Sequence, residues 1–184
     1  MGRELTTTAR ALHALRVSQH AESATMSEPA AGRKELIEAF WLDYQRACQV
    51  QVAGFAATAF GHTRALADEL AALIQGGHKR AHATLERDFE VEGDELPRPG
   101  DHVVVLDGRG VPQAIVRTTH VERRYFNEID DQFAFEAGEG ERTLAWWLTA
   151  HRQDFAERAE REGFQVGERA VLILEYFELV WPAS

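Results

Sequence analysis

The sequence predicts an α+β fold: a small, curved, mostly antiparallel β-sheet or barrel with flanking helices. Three observations predict it. Amphipathic helical stretches come first and stop at Gly76-Gly77. The middle of the chain turns and alternates as strands do, most clearly in "LPRPGDHVVVLDGRGVPQAIVRTTHVERR". One long helical stretch and one long apolar strand then close the chain. Helices and strands in separate runs, rather than in strict alternation, mark the α+β class.

The elements follow in order. From residue 33 to 50, Leu36, Ile37, Phe40, Trp41 and Tyr44 recur at helical spacing, with Glu35, Glu38, Asp43 and Arg46 between them. Residues 51–61 are small and apolar, with Gly54 and Gly61 as punctuation, and carry no pattern that assigns them. A second helix is predicted over 63–76. Thr63 is its N-cap, and Leu66, Leu70, Leu73 and Ile74 form its stripe. Gly76 or Gly77 supplies its left-handed end. "RAHATLER" then alternates small and polar residues as a strand does. Residues 102–106 form a short strand, "DGRG" at 107–110 a hairpin turn, and 112–122 the return strand. A short helix is expected at 127–136 with Asn127 as its cap, followed by a flexible acidic loop, "EAGEGER". Thr143 to Glu162 reads as a long helix closed by Gly163. Residues 169–181 read as a strand apolar enough to be central to a sheet.

Composition bounds the rest. At 184 residues, 45% hydrophobic and 27% charged, the chain is one soluble domain with an appendage. Residues 1–33 are rich in Ala, Ser and Thr and read as a disordered N-terminal extension, with 34–184 as the domain. Met26 opens "MSEPAAGRKELIEAF", which is a start in its own right. Cys48 is the single cysteine, so no internal disulfide forms. No stretch is long enough to span a bilayer and none reads as a signal peptide, so a cytoplasmic location without a membrane partner is expected. The formal net charge is −10, and residues 1–33 carry +1 of it, leaving −11 on the rest. Such a body repels phosphate at long range, so no stable duplex DNA binding is expected.

Chemistry concentrates at "IQGGHKRAHATL", residues 74–85, where an acidic chain places its densest basic cluster just after a helix stop. Lys79 there can pair with a phosphate or an oxyanion. Desolvated and neutral, it can act as a base. If 80–85 is a strand, Arg80, His82 and Thr84 share one face beside Lys79. His78, His82, His102 and His120 match no compact metal spacing, so no metal and no other cofactor is expected. Glu136, Glu139 and Glu141 lie in the glycine-bearing loop, which is either solvated or a flap that carries a carboxylate to Lys79. Arg117, Arg123 and Arg124, with Tyr125 adjacent, suit phosphate contact and base stacking. Trp147 falls on the apolar stripe of the long helix. His151, one turn on, is buried or faces the cleft.

Four ordered blocks carry a resemblance: "LIQGGHKRAHATL", "LPRPGDHVVVLDGRGVPQAIVRTTHVE", "FNEIDDQFAFEAGEGERTLAWWLTAHRQDF" and "VLILEYFELVW". Together they resemble the ASCH (ASC-1 homology) domain, whose fold is similar to the PUA domain of RNA-modifying proteins. The resemblance covers about residues 36–182 and implies a PUA-like barrel with a cleft that binds RNA or a nucleotide. Lys79 matches the lysine of the family's G-x-K-x-x-T-like motif. Some small members are amidohydrolases acting on N4-acetylcytidine with a Thr-Lys-Glu constellation, and others are ribonucleases. The threonine position, three after the lysine, is here His82, and the next hydroxyl is Thr84. The glutamate falls at Glu139 or Glu141. The resemblance, taken with the shared strand face and the arginine–aromatic group read above, leads to the expectation of ligand binding through Lys79, Arg80, His82, Thr84, Arg117 and Tyr125. The alternative is a small amidohydrolase or ribonuclease using Lys79, His82 and Glu139. With histidine in the nucleophile's place, binding is the reading preferred.

Overall fold

The structure is a computed structural model and describes residues 30–52 and 54–182. Most of the expected N-terminal extension lies outside the described residues, and Ala30 already begins a helix. In chain order the elements are α1 (Ala30–Cys48), β1 (Ala56–Thr58), α2 (Arg64–Gln75), β2 (Ala81–Leu85), α3 (Glu86–Glu92), β3 (His102–Leu106), β4 (Pro112–Tyr125), α4 (Asp131–Ala137), α5 (Leu144–Glu162) and β5 (Val171–Trp181). The class is α+β. The strands hydrogen-bond in the order β1-β3-β4-β5-β2, with β1–β3 parallel and β3–β4 and β2–β5 antiparallel. Among the described residues no helix is long and apolar enough to cross a membrane.

The chain divides into two compact units. Among the described residues, the first comprises those up to Gln75, Gly100–Arg117 and 179–182. Its core gathers Ile37, Trp41 and Tyr44 of α1, Ala57 of β1, Val104 and Leu106 of β3 and Ile115 of β4. α2 buries Leu70 and Ile74 of the expected stripe, but Ala67 and Ala71 take the buried places beside them while Leu66 and Leu73 are only half-buried, and Thr63 Oγ1 caps the helix by accepting the Leu66 N–H at 3.2 Å. β1 answers the segment that carries no readable pattern. Three residues are too few to show alternation, and its position comes from parallel pairing of Ala56–Thr58 with Val103–Val105. In the hairpin turn, Asp107 Oδ1 accepts the N–H groups of Arg109 and Val111.

The second unit holds Gly76–Pro99 and Thr118–Glu178. Its core packs Ala81, Ala83 and Leu85 of β2 and Leu172 and Leu174 of β5 against Phe133, Ala134 and Ala137 of α4 and Trp147 and Phe155 of α5. Alternation along β2 is strict: Ala81, Ala83 and Leu85 are buried, while His82 and Thr84 are half-buried. The expected strand stops at Leu85, because Glu86 opens the short helix α3, which ends on the left-handed Gly93. The cap of α4 also differs from expectation. Asp130 accepts the Phe133 N–H at 2.8 Å. Asn127 instead lies in a 3-10 turn, where its N–H donates to the Glu168 carbonyl and that of Phe126 to the Ala170 carbonyl. Those tertiary bonds hold the segment ahead of β5 and delay the helix. α5 starts at the Thr143 cap and ends at Gly163, as read from the sequence. β5 lies between β4 and β2, with Leu172, Ile173 and Leu174 all buried, which explains its unbroken apolar run.

Candidate functional site

Lys79 sits between the left-handed Gly77 and the first residue of β2. Its side chain has no solvent exposure. Nζ donates to the Ala81 carbonyl at 2.9 Å, to the Ala137 carbonyl at 3.2 Å, and to Glu139 Oε1 in a short ion-pair hydrogen bond. An ammonium has three donors, and these acceptors use all three. None of the three is His82 or Thr84.

The turn after α4 delivers Glu139. Gly138 takes φ 73°, and a Cβ there would lie 2.2 Å from the His78 carbonyl oxygen. Gly140 takes φ 51°, and a Cβ there would lie 2.1 Å from the Trp146 ring. These glycines serve close approach of one segment to another. The Arg80 N–H donates to the Glu136 carbonyl at 2.7 Å, and Arg80 Nε to Glu136 Oε2 at 2.7 Å. The acidic stretch expected as a flexible loop is therefore the end of α4 and a turn fastened to residues 78–81. Backbone bonds and the buried ammonium outweigh its polar composition.

The electrostatics follow from burial. Desolvation pushes the Lys79 pKa down, and the adjacent Glu139 carboxylate partly restores it. Burial pushes Glu139 up, but Lys79 foremost, then His151, hold its carboxyl below the usual range. His82 is pushed down to about 3, first by burial and then by the Lys79 charge. His151 is also lowered, chiefly by burial, with Glu139 opposing. Burial thus disfavours the charged form of both imidazoles beside the Lys79–Glu139 ion pair. His151 Nε2 lies 3.9 Å from Glu139 Oε2, and each side chain keeps 14% of its surface exposed, so this edge of the group reaches solvent.

The other residues singled out from the sequence go to several places. His82 and Thr84 share a strand face, opposite Glu175 and Ile173 of β5, and Thr118 donates to Glu175. Arg80 is half-exposed and paired with Glu136. Tyr125 is the last residue of β4 and half-buried, with the Arg169 guanidinium 4.8 Å over its ring. Arg123 pairs with Glu86, and Arg124 with Asp130. Arg117 belongs to the first unit, exposed and in register with His102. His102 is buried there, 3.1 Å from the Tyr44 hydroxyl, and His120 pairs with Glu122. The first unit also has a cavity of about 210 Å³ lined by Asp68, Gln75, Asp107 and Gln113. Its carboxylates already serve the fold, since Asp68 accepts the Gly108 N–H and Asp107 stitches its own turn. The Lys79 group is thus the better candidate.

His151, which the sequence left open as buried or facing the cleft, is the residue the structure adds to the site. The signal was its place four residues after a buried Trp147, on the same helix face. What periodicity could not say is that this face meets Glu139. Chemically, the group offers a carboxylate and an imidazole at its accessible edge. Lys79, with every proton engaged, acts as the post that holds the carboxylate.

Comparison with known proteins agrees with this architecture. Residues 56–181 match the family model of the ASCH domain. A crystal structure of an ASCH domain from Lactobacillus crispatus JV V101 is 32% identical, with a TM-score of 0.74 over 79% of this chain and 94% of that one. A crystal structure of a protein from Enterococcus faecalis V583 is 26% identical, with a TM-score of 0.73 over 80% of this chain and 91% of that one. No curated protein matches. With the family model spanning most of the sheet and the helices around Lys79, this chain belongs to the ASCH domain family.

Proposed function

We propose that this ASCH-domain protein binds a nucleotide or single-stranded RNA at the Lys79–Glu139 group. The observation that carries the reading is the group itself. A fully buried ammonium fixes a carboxylate whose far edge, with His151, stays partly exposed. Few folds keep a buried charged pair for stability alone, because hydrophobic residues of similar size serve as well or better. The family resemblance supplies the ligand class. The role of Lys79 differs from that of a contact residue, since its three donors are committed to the protein. Glu139 repels phosphate, so bases and sugars are the moieties it meets.

Titration of short oligo-C and oligo-U, in ribo and deoxy forms, tests the reading at low salt. Saturable binding that Lys79→Met weakens by about tenfold or more is expected, because loss of the post releases Glu139. Failure of the folded wild-type chain to bind any of them overturns it.

The second reading is hydrolysis of an amide or phosphodiester bond, favoured by one feature: the His151 imidazole and the Glu139 carboxylate converge at an accessible edge. Turnover of N4-acetylcytidine or cleavage of single-stranded RNA, lost in Glu139→Gln, would establish it. No turnover by folded protein would leave binding alone.

A further inference from the structure

The His151 ring is fixed in two ways. It stacks on the Trp147 indole, with 3.8 Å between centroids and 17° between planes. Its Nδ1 lies 3.1 Å from the Trp147 carbonyl oxygen. A carbonyl only accepts, so Nδ1 carries the proton, and in the neutral ring Nε2 carries the lone pair. That lone pair faces Glu139 Oε2 at 3.9 Å, too long for a hydrogen bond between them. The other carboxylate oxygen is taken by Lys79. The charges around the ring come from every side: Lys79 from the segment before β2, Glu139 from the turn after α4 and Asp154 from α5 itself. Two acceptors thus face one another with no hydrogen of their own to share. At this solvent-reaching edge water serves as the donor to both acceptors, and a ligand N–H or O–H placed between them takes over that role.

We infer that Glu139 Oε2 and His151 Nε2 form a two-acceptor seat for an N–H or O–H donor of the bound ligand, an inference that rests on the nucleotide-binding reading. A base amino group or a ribose hydroxyl carries such a donor. A base edge presenting only a carbonyl oxygen meets two lone pairs and is rejected. Lys79 and Trp147 are positioning residues: one holds the carboxylate, the other the imidazole.

Two measurements on the full chain test this. The first is the imidazole ¹⁵N spectrum at pH 7 without ligand. It should show His151 neutral, protonated on Nδ1 and bare on Nε2. A ring charged, or protonated on Nε2, overturns the seat whatever binds. The second is the affinity of ribo- and deoxy- forms of oligo-C and oligo-U for wild type and for His151→Phe, which keeps the stack and loses Nε2. Weakening of about tenfold in the variant is expected, matching one lost hydrogen bond to a charged or buried partner. A preference for C over U assigns the donor to the cytosine amino group, and one for U over C assigns it to the uracil N3–H. A preference for ribose over deoxyribose assigns it to the 2′-hydroxyl. Wild-type binding that is indifferent to all four ligands and unchanged in His151→Phe overturns the seat and leaves nucleotide binding standing. Absence of wild-type binding removes both.

Discussion

An ammonium and a carboxylate taken out of water together hold each other in place, and either one left alone is far worse off. Lys79 and Glu139 are such a pair, with two backbone carbonyls completing the shell of Nζ. Lys79→Met strands a buried carboxylate and should cost about 3–5 kcal/mol. Adding Glu139→Met should recover much of that loss, so a double-mutant cycle in urea should show strong coupling. Additive losses would mean the two side chains act independently. His82 gives a separate reading in pH. Its folded pKa of about 3 lies below the ordinary 6.5, so the unfolded chain takes up a proton first. Stability from this group is complete above pH 6.5 and is lost as pH falls from there towards 3. Glu139, also depressed, adds its loss below the usual carboxylate range. His82→Gln should therefore flatten the dependence of the urea midpoint on pH between these limits by about one proton. An unchanged slope would show that His82 titrates normally in the fold.

At the scale of elements, the site depends on a turn more than on any helix or strand. Gly138 ends α4 in the left-handed region and lets the His78 carbonyl approach. Gly138→Ala adds both a disfavoured φ and a collision with backbone that cannot swing aside. A loss of about 2–4 kcal/mol is expected, with ligand binding lost more steeply than stability as Glu139 leaves its post. An alanine variant as stable as wild type would show the turn to be tolerant. By contrast, Thr143→Ala removes one cap, from α5, and should cost about 1 kcal/mol without changing binding. Thermal melts and the same oligonucleotide titrations separate the two cases.

For the whole molecule, a formal charge of −10 sets the terms on which any nucleic acid is met. The arginines that could form a phosphate track are largely engaged: Arg80 with Glu136, Arg123 with Glu86 and Arg124 with Asp130. Binding through bases and sugars should release few counterions. The slope of log affinity against log salt for single-stranded RNA should be no steeper than about −2, which corresponds to two or three phosphate contacts. A slope of about −4 or steeper would point to a cationic surface elsewhere on the chain.

Local features were enough for much of this protein. The span of α2 with Leu70 and Ile74 inward, the Thr63 and Thr143 caps, the Gly163 stop, the "DGRG" turn and the buried run of β5 each follow from residue type and spacing, because their energetics are settled within a few neighbours. The four blocks around Lys79 carried the family. Tertiary structure decided what spacing cannot encode. β1 exists through its pairing with β3, and Asp130 replaces Asn127 as a cap because Glu168 and Ala170 claim the preceding turn. Above all, only the fold could bury Lys79, bring Glu139 to it from 60 residues away and set His151 against the carboxylate. The sequence shows a lysine after a helix stop, where water would be the default partner. Its acceptors come from the adjoining strand at Ala81 and from the distant turn at Ala137 and Glu139, and that assembly turns an apparent contact residue into a buried post.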